Sequence, residues 1–176
     1  MKFNYSAFKA IYLHEMDRFK RTLMQSLLSP VLSTSLYFIV FGSVIGGYVQ
    51  KIDGISYGSY IVPGLLMLTL LTQSITNTSF GIFFPKFNGT IYEILAAPIS
   101  TLEIVLAFVG AGATKTLIVS VVIFTTANFF VEVDVKYPLL VVFLLILVAF
   151  TFALFGFLIG LMSSDFEQMS IIPTLI

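Results

Sequence analysis

Cysteine is absent from the 176-residue chain, which removes disulfides, thiol nucleophiles and thiolate metal sites together. Histidine occurs once, as His14 in the most charged stretch, so a histidine-based metal site has no second ligand. Charge is scarce. Charged residues make up 10% of the chain and hydrophobic ones 58%, where a soluble domain carries roughly 25% and 45–50%. So little charge cannot coat a globule of this size. An ordinary cytosolic enzyme and a disordered chain are excluded, and so is a nucleic-acid binder, which needs a basic patch. Nine Lys+Arg balance nine Asp+Glu, so the information lies in where they sit.

They sit between long charge-free runs. Thr22 to Gln50, Gly54 to Pro85 and Tyr137 to Ser164 carry no charge, and Ile104 to Val131 carries only Lys115. A helix needs roughly 20 apolar residues to cross the hydrocarbon core. The expected spans are 25–48, 60–84, 104–130 and 137–162. A partial fifth, 168–176, reads as the opening of a span in which the chain stops. The fold class is therefore an all-α, polytopic integral membrane protein. A barrel would need short alternating strands, whereas Leu139 to Phe150 is apolar on every side, as a lipid-embedded helix is.

Orientation follows the basic residues. Lys2, Lys9, Arg18, Lys20 and Arg21 precede the first span, while the 49–59 loop holds only Lys51. The N-terminus and the 85–103 loop are expected in the cytoplasm, and the 49–59 and 131–136 loops outside. Tyr48, Tyr57, Tyr60 and Tyr137 fall near the outer boundary, where amphipathic rings prefer to lie. Residues 1–24 read as an amphipathic interfacial helix. Phe8, Ile11, Tyr12, Met16, Phe19 and Leu23 form its apolar side, Lys9, Asp17, Lys20 and Arg21 the other, and Glu15 intrudes on the apolar face. Such a helix lies among the headgroups with its basic residues on anionic lipid. It is either an orientation anchor or also a contact for a cytoplasmic partner.

Residues 85–103 carry the densest local signals. Thr90 with Glu93, and Ser100 with Glu103, have the spacing of capping boxes. Pro98 separates them, because the residue before a proline disfavours helix. The expectation is a short helix, a break and a return to the membrane. On residues alone this is either a structured turn or a functional segment.

Here the chain resembles a known family. Gly-Thr, then Glu followed by Ile-Leu, then Ala-Pro-Ile-Ser at 97–100, stand between the second and third spans. This looks like the coupling segment of the type-2 ABC exporter permeases. Pro63-Gly64 in the second span, Gly156 to Leu161 followed by Ser-Ser-Asp-Phe-Glu, and Ile171-Ile172-Pro173 are similar as well. The resemblance implies an ATP-driven exporter's membrane subunit in a bacterial inner membrane. It would pair with a second permease copy or a sister permease, and with ATP-binding cassette subunits. No Gly-x-x-x-x-Gly-Lys-Ser/Thr loop is present, so ATP would be bound by the partner. No cofactor, metal or catalytic residue is expected in the chain itself. Gly89, Thr90, Ile91, Glu93, Leu95 and Pro98 would form the coupling segment. In it Glu93 would make a polar contact, Ile91 and Leu95 apolar anchors, and Pro98 the break before span three. Family cargoes include polysaccharides, lipid-linked glycans and hydrophobic drugs.

Within the spans, Thr69, Gln73, Thr76 and Asn77 share one stripe. Amides are costly toward lipid, so the stripe faces protein or water. It serves as helix packing or as a pathway lining. Lys115 either snorkels past Gly110 and Gly112 to the cytoplasmic face or faces an aqueous cavity, with no opposite charge on another span. Gly42 with Gly46, and Ala149, Ala153, Gly156 and Gly160, let helices approach closely. A secondary transporter and a structural scaffold are the alternative functions. An intramembrane enzyme lacks a nucleophile–base pair.

Overall fold

The computed structural model describes residues 3–45, 51–52, 55–131, 133 and 135–169. Helices α1 (Tyr5–Arg21) and α2 (Leu23–Tyr37) come first, and a π-helical segment, Phe38–Ile45, extends α2. A two-residue antiparallel ladder follows, β1 (Lys51–Ile52) on β2 (Ile55–Ser56). Then come α3 (Tyr57–Phe87), the short α4 (Ile91–Ala96), α5 (Thr101–Phe130) and α6 (Pro138–Met162). Among the described residues, four helices are long and apolar enough to cross a membrane, beginning at Leu23, Tyr57, Thr101 and Pro138. The protein is an all-α polytopic membrane protein. Gly46, Tyr48 and the apolar run from residue 170 onward lie outside the described residues.

Local chemistry sets the helix ends. Ser56 and Ser100 are both in extended conformation and accept from the amides of Ser59 and Glu103. At α5 the capping box is complete, because the Glu103 carboxylate accepts the Ser100 N–H at 2.8 Å. Pro138 starts α6, where its missing N–H is harmless. Gly89 leaves α3 at φ +79, a conformation that suits glycine alone among common residues. Pro30 lies inside α2 and removes one intrahelical hydrogen bond, a feature the apolar run did not reveal.

α5 is the most buried span and touches α1, α2, α3 and α6, while α3 packs against α5 and α6. The contact of α3 with α6 is made by small residues. Ala149 and Ala153 are fully buried. A Cβ on Gly156 would run into the Ile75 carbonyl, and one on Gly160 into Ser79 and Ile82. Ser74 Oγ donates across the same contact to the Ala149 carbonyl at 3.0 Å. The small-residue stripe therefore packs within the chain, by close backbone approach.

α1 packs much of its apolar face on α5. It runs along α5 in the same direction: Asn4 N–H donates to Glu103, Tyr12 OH to Thr114 at 3.0 Å, and Phe19 packs on Val119 and Ile123. Ile11, Tyr12, Met16 and Phe19 of the apolar stripe meet the bundle, Leu23 stays exposed, and the basic residues Lys9, Lys20 and Arg21 remain exposed. The physical reason is Glu15. It belongs to the inward face, and only a protein surface holding a cation can accept it there.

Candidate functional site

α3 and α5 contain 31 and 30 residues, about 45 Å each at 1.5 Å per residue. A hydrocarbon core of about 30 Å leaves roughly 15 Å of both helices outside it. The charge-free part of the first span begins at Thr22, directly after Arg18, Lys20 and Arg21. The excess length therefore belongs to the end that carries α1 and α4.

At that end α4 joins the two long helices. None of its residues is buried. Ile91 and Ile94 turn toward the bundle, where they pack against the main core with Ile99. Tyr92 and Leu95 are 74% and 61% exposed, and Glu93, Ala96, Ala97 and Pro98 are exposed with them. The exposed apolar pair is thus Tyr92 and Leu95, not Ile91 and Leu95. The expected Thr90–Glu93 capping box is not formed. Thr90 is already helical, at φ −64 and ψ −15. A cap must be extended for its oxygen to reach back to the third amide. Its hydroxyl instead reaches the Pro85 carbonyl at 3.4 Å. The Pro98 carbonyl accepts from the Asn4 side chain, which ties the break after α4 to the start of α1.

Two cavities line the seam between α2 and α3. The larger of the two, about 200 Å3, is bounded by Ser29, Ser33, Thr34 and Tyr37 on one side and Leu65, Thr69, Thr72 and Gln73 on the other. The second, about 130 Å3, is bounded by Arg18, Phe19, Thr22, Ser26, Thr76, Asn77, Phe80 and Lys115. Residues 22, 26, 29, 33 and 37 form one face of α2, so the cavities stack along one furrow. The furrow exists because α2 packs mainly on α5 rather than on α3. All four residues of the expected stripe line it, Thr69 and Gln73 above, Thr76 and Asn77 below. Asn77 also reaches Gln73 and Thr116, each at 3.4 Å. Thr69 and Thr76 donate to the carbonyls of Leu65 and Thr72 at 2.8 and 2.7 Å. Their walls therefore offer acceptor lone pairs and methyl groups.

Lys115 does not snorkel. Its ammonium is buried and donates to Glu15 Oε2 at 2.8 Å. Arg18 reaches the same oxygen at 2.9 Å, while Glu15 Oε1 is buried without a donor. Sequence reasoning found no opposite charge for Lys115, because it searched the spans. The partner sits on α1, before the first span. The apparent flaw in the α1 stripe, Glu15, was the signal. Lys86 was also missed. Its ammonium donates to the carbonyls of Leu161 and Ser163 at 2.6 and 2.8 Å, filling the open acceptors at the α6 C-terminus. Phe166 packs edge-on against Phe83, Phe84 and Phe87 beside it. The spacing Gly54-Ile55-Ser56-Tyr57-Gly58 has the outline of a nucleophile elbow. Ser56 Oγ is instead the α3 cap, and lies 2.6 Å from Ser59 Oγ. His14 is on α1, at the other end of the bundle.

The sequence profile of the ABC-2 type transporter family matches residues 6–176. The chain belongs to the ABC-2 type transporter family. The inner membrane transport permease YadH of Escherichia coli strain K12 is 36% identical over 170 residues, 97% of this chain and 66% of that protein. The YadH proteins of Escherichia coli O157:H7 and Shigella flexneri match to the same extent. The chain therefore spans 66% of the length of these curated relatives. No solved structure matches it. With its four membrane-length helices, the chain is a multi-pass protein of the bacterial inner membrane.

Proposed function

We propose that the chain is the membrane subunit of an ATP-driven exporter and that α4 receives the motion of a separate ATP-binding subunit. The observation that carries this reading is the exposed helix between the two longest spans of an ABC-2 family chain. Tyr92 and Leu95 present apolar surface beyond the bundle, with Glu93 between them. A groove on an ATPase covers such a surface, and a push on α4 acts on α3 and α5 together. Gly89 and Pro98 bound the segment, and Thr90 begins it. Ile91 anchors it from the inner side. The cargo moves along the furrow of Thr69, Gln73, Thr76 and Asn77, and a hydrophobic drug, lipid-linked glycan or polysaccharide is the class expected. A second permease copy or sister permease completes the pathway.

The orientation belongs to the same proposal, with α4 in the cytoplasm. A membrane-impermeant thiol reagent applied to intact cells then labels a cysteine at Lys136 and not one at Glu93. The functional test is Glu93→Ala and Leu95→Ala in the full-length protein with its ATPase. Membrane insertion is expected to persist while transport and transport-stimulated ATP hydrolysis fall together. Losing one member of a desolvated interfacial charge pair costs about 2–5 kcal/mol. Normal transport by both variants, with the ATPase bound at normal affinity, removes α4 from the mechanism.

A further inference from the structure

We propose that the lower cavity of the α2–α3 furrow is a seat for the phosphate of an anionic phospholipid, held by Arg18 and Lys115. Three observations converge on it. The cavity is bounded by both cations, whereas Glu15, which neutralises one of them, is not among its lining residues. Two cations share one carboxylate oxygen, at 2.9 and 2.8 Å, so one positive charge is left over. A buried ammonium with incomplete compensation favours an anion beside it. The ligand meets the cations and not the carboxylate.

The second observation is depth. Arg18 and Lys20 stand in the last turn of α1, and Thr22 opens the charge-free run. The cavity spans that change, with Arg18 and Thr22 both on its wall. This is the level of lipid phosphates, where basic side chains meet the anionic leaflet. The exposed Lys20 and Arg21 add to the same field.

The third is the lining. Ser26, Thr22 and Thr76 supply hydroxyls and Asn77 an amide, while Phe19 and Phe80 supply apolar wall. Phosphate oxygens find donors in Arg18, Lys115 and Ser26, the headgroup glycerol hydroxyls find the acceptor lone pairs of Thr22 and Thr76, whose own protons go to backbone carbonyls, and the start of an acyl chain finds rings. The volume of about 130 Å3 would hold about four waters, room for one phosphate group. Arg18 is the adaptable member. It lies 5.7 Å from the Phe84 ring centroid and its side chain is 32% exposed. Its guanidinium has donors left for a phosphate after Glu15 has taken one.

The inference depends on membrane placement and not on the transport reading. The full-length protein is placed in phosphatidylcholine nanodiscs with trace spin-labelled phosphatidylglycerol or spin-labelled phosphatidylcholine. An immobilised spectral component is expected with phosphatidylglycerol and not with phosphatidylcholine. Arg18→Gln removes a charge, and Thr76→Leu fills the cavity without altering any charge. Both leave the Lys115–Glu15 pair in place. Each is expected to weaken retention about ten-fold, Arg18→Gln by losing a hydrogen bond to a charged group and Thr76→Leu by occupying the space of the headgroup. Equal immobilisation of the two lipids overturns the proposal, and so does retention that neither variant changes. Adding the ATPase and ATP separates the two sources of one phosphate chemistry. Label that stays through turnover marks a resident lipid. Label that leaves with transport marks a cargo head held at the same seat. Specific retention by a protein that neither binds nor stimulates the ATPase supports the seat while removing the transport reading.

Discussion

α5 and α6 are both membrane-length helices, yet they are used in opposite ways. α6 is the more hydrophobic, and only 17% of its most apolar window is buried, against 61% for α5. In lipid, apolar side chains gain nothing by leaving acyl chains for protein, so hydrophobicity marks a span without assigning it an interior place. α5 is interior because it carries Ala107, Ala111, Gly112, Ala113, Lys115, Thr116 and Ser120 on buried positions. α6 buries only Ala149, Ala153, Gly156, Phe157 and Gly160, with Leu145 and Val148 packed beside them. Most of the remaining surface from Leu139 to Leu161 is exposed and apolar, chiefly leucine, valine and phenylalanine.

The contrast can be broken most severely at the α5 ion pair. Glu15→Gln leaves the Lys115 ammonium buried without its counter-charge, and a loss of about 3–5 kcal/mol is expected. Lys115→Met is expected to lose less, because Arg18 still engages Glu15. The double variant Glu15→Leu/Lys115→Met should recover much of the loss. Thermal stability of the purified proteins, followed by monodisperse elution after heating, checks all three. A double variant no better than Glu15→Gln contradicts the account.

Next is the small-residue contact of α6. Gly156→Ala places a methyl against the Ile75 backbone, and overpacking of about 1–3 kcal/mol is expected. The same heating assay measures it. Lys86→Met, which unfastens the two carbonyls at the α6 C-terminus, should lose about 1 kcal/mol, because both charge-assisted bonds come from an exposed, solvent-screened side chain. Faster hydrogen exchange confined to residues 159–163 is its signature. Leu154→Ala, on the exposed face of α6, should stay within about 0.5 kcal/mol. A drop at Leu154 as large as that at Gly156 would mean that this face is covered by another protein surface.

Much of the architecture could be read from residue order. Four apolar runs became four long helices, because a chain that must satisfy its backbone inside lipid has few other choices. The short helix at 91–96 and the Ser100 cap are local events, written within three or four residues. The Thr90 cap failed for an equally local reason, the helical backbone at Thr90. No pattern of side chains announced it. The stripe Thr69, Gln73, Thr76, Asn77 was visible by helical spacing, but its counterpart Thr22, Ser26, Ser29, Ser33, Tyr37 became a wall only when α2 leaned on α5.

Composition and charge order alone set the membrane class, the number of described spans and the break before span three. These follow from backbone satisfaction and from 3.6-residue periodicity, which act within a single segment. Partner choice followed from folding. Glu15 found Lys115 100 residues away, and Lys86 found the end of α6. The furrow opened between helices that do not pack on each other. Such pairings depend on which faces meet at close range, and neither hydropathy nor spacing along one helix encodes the rotation of its neighbour.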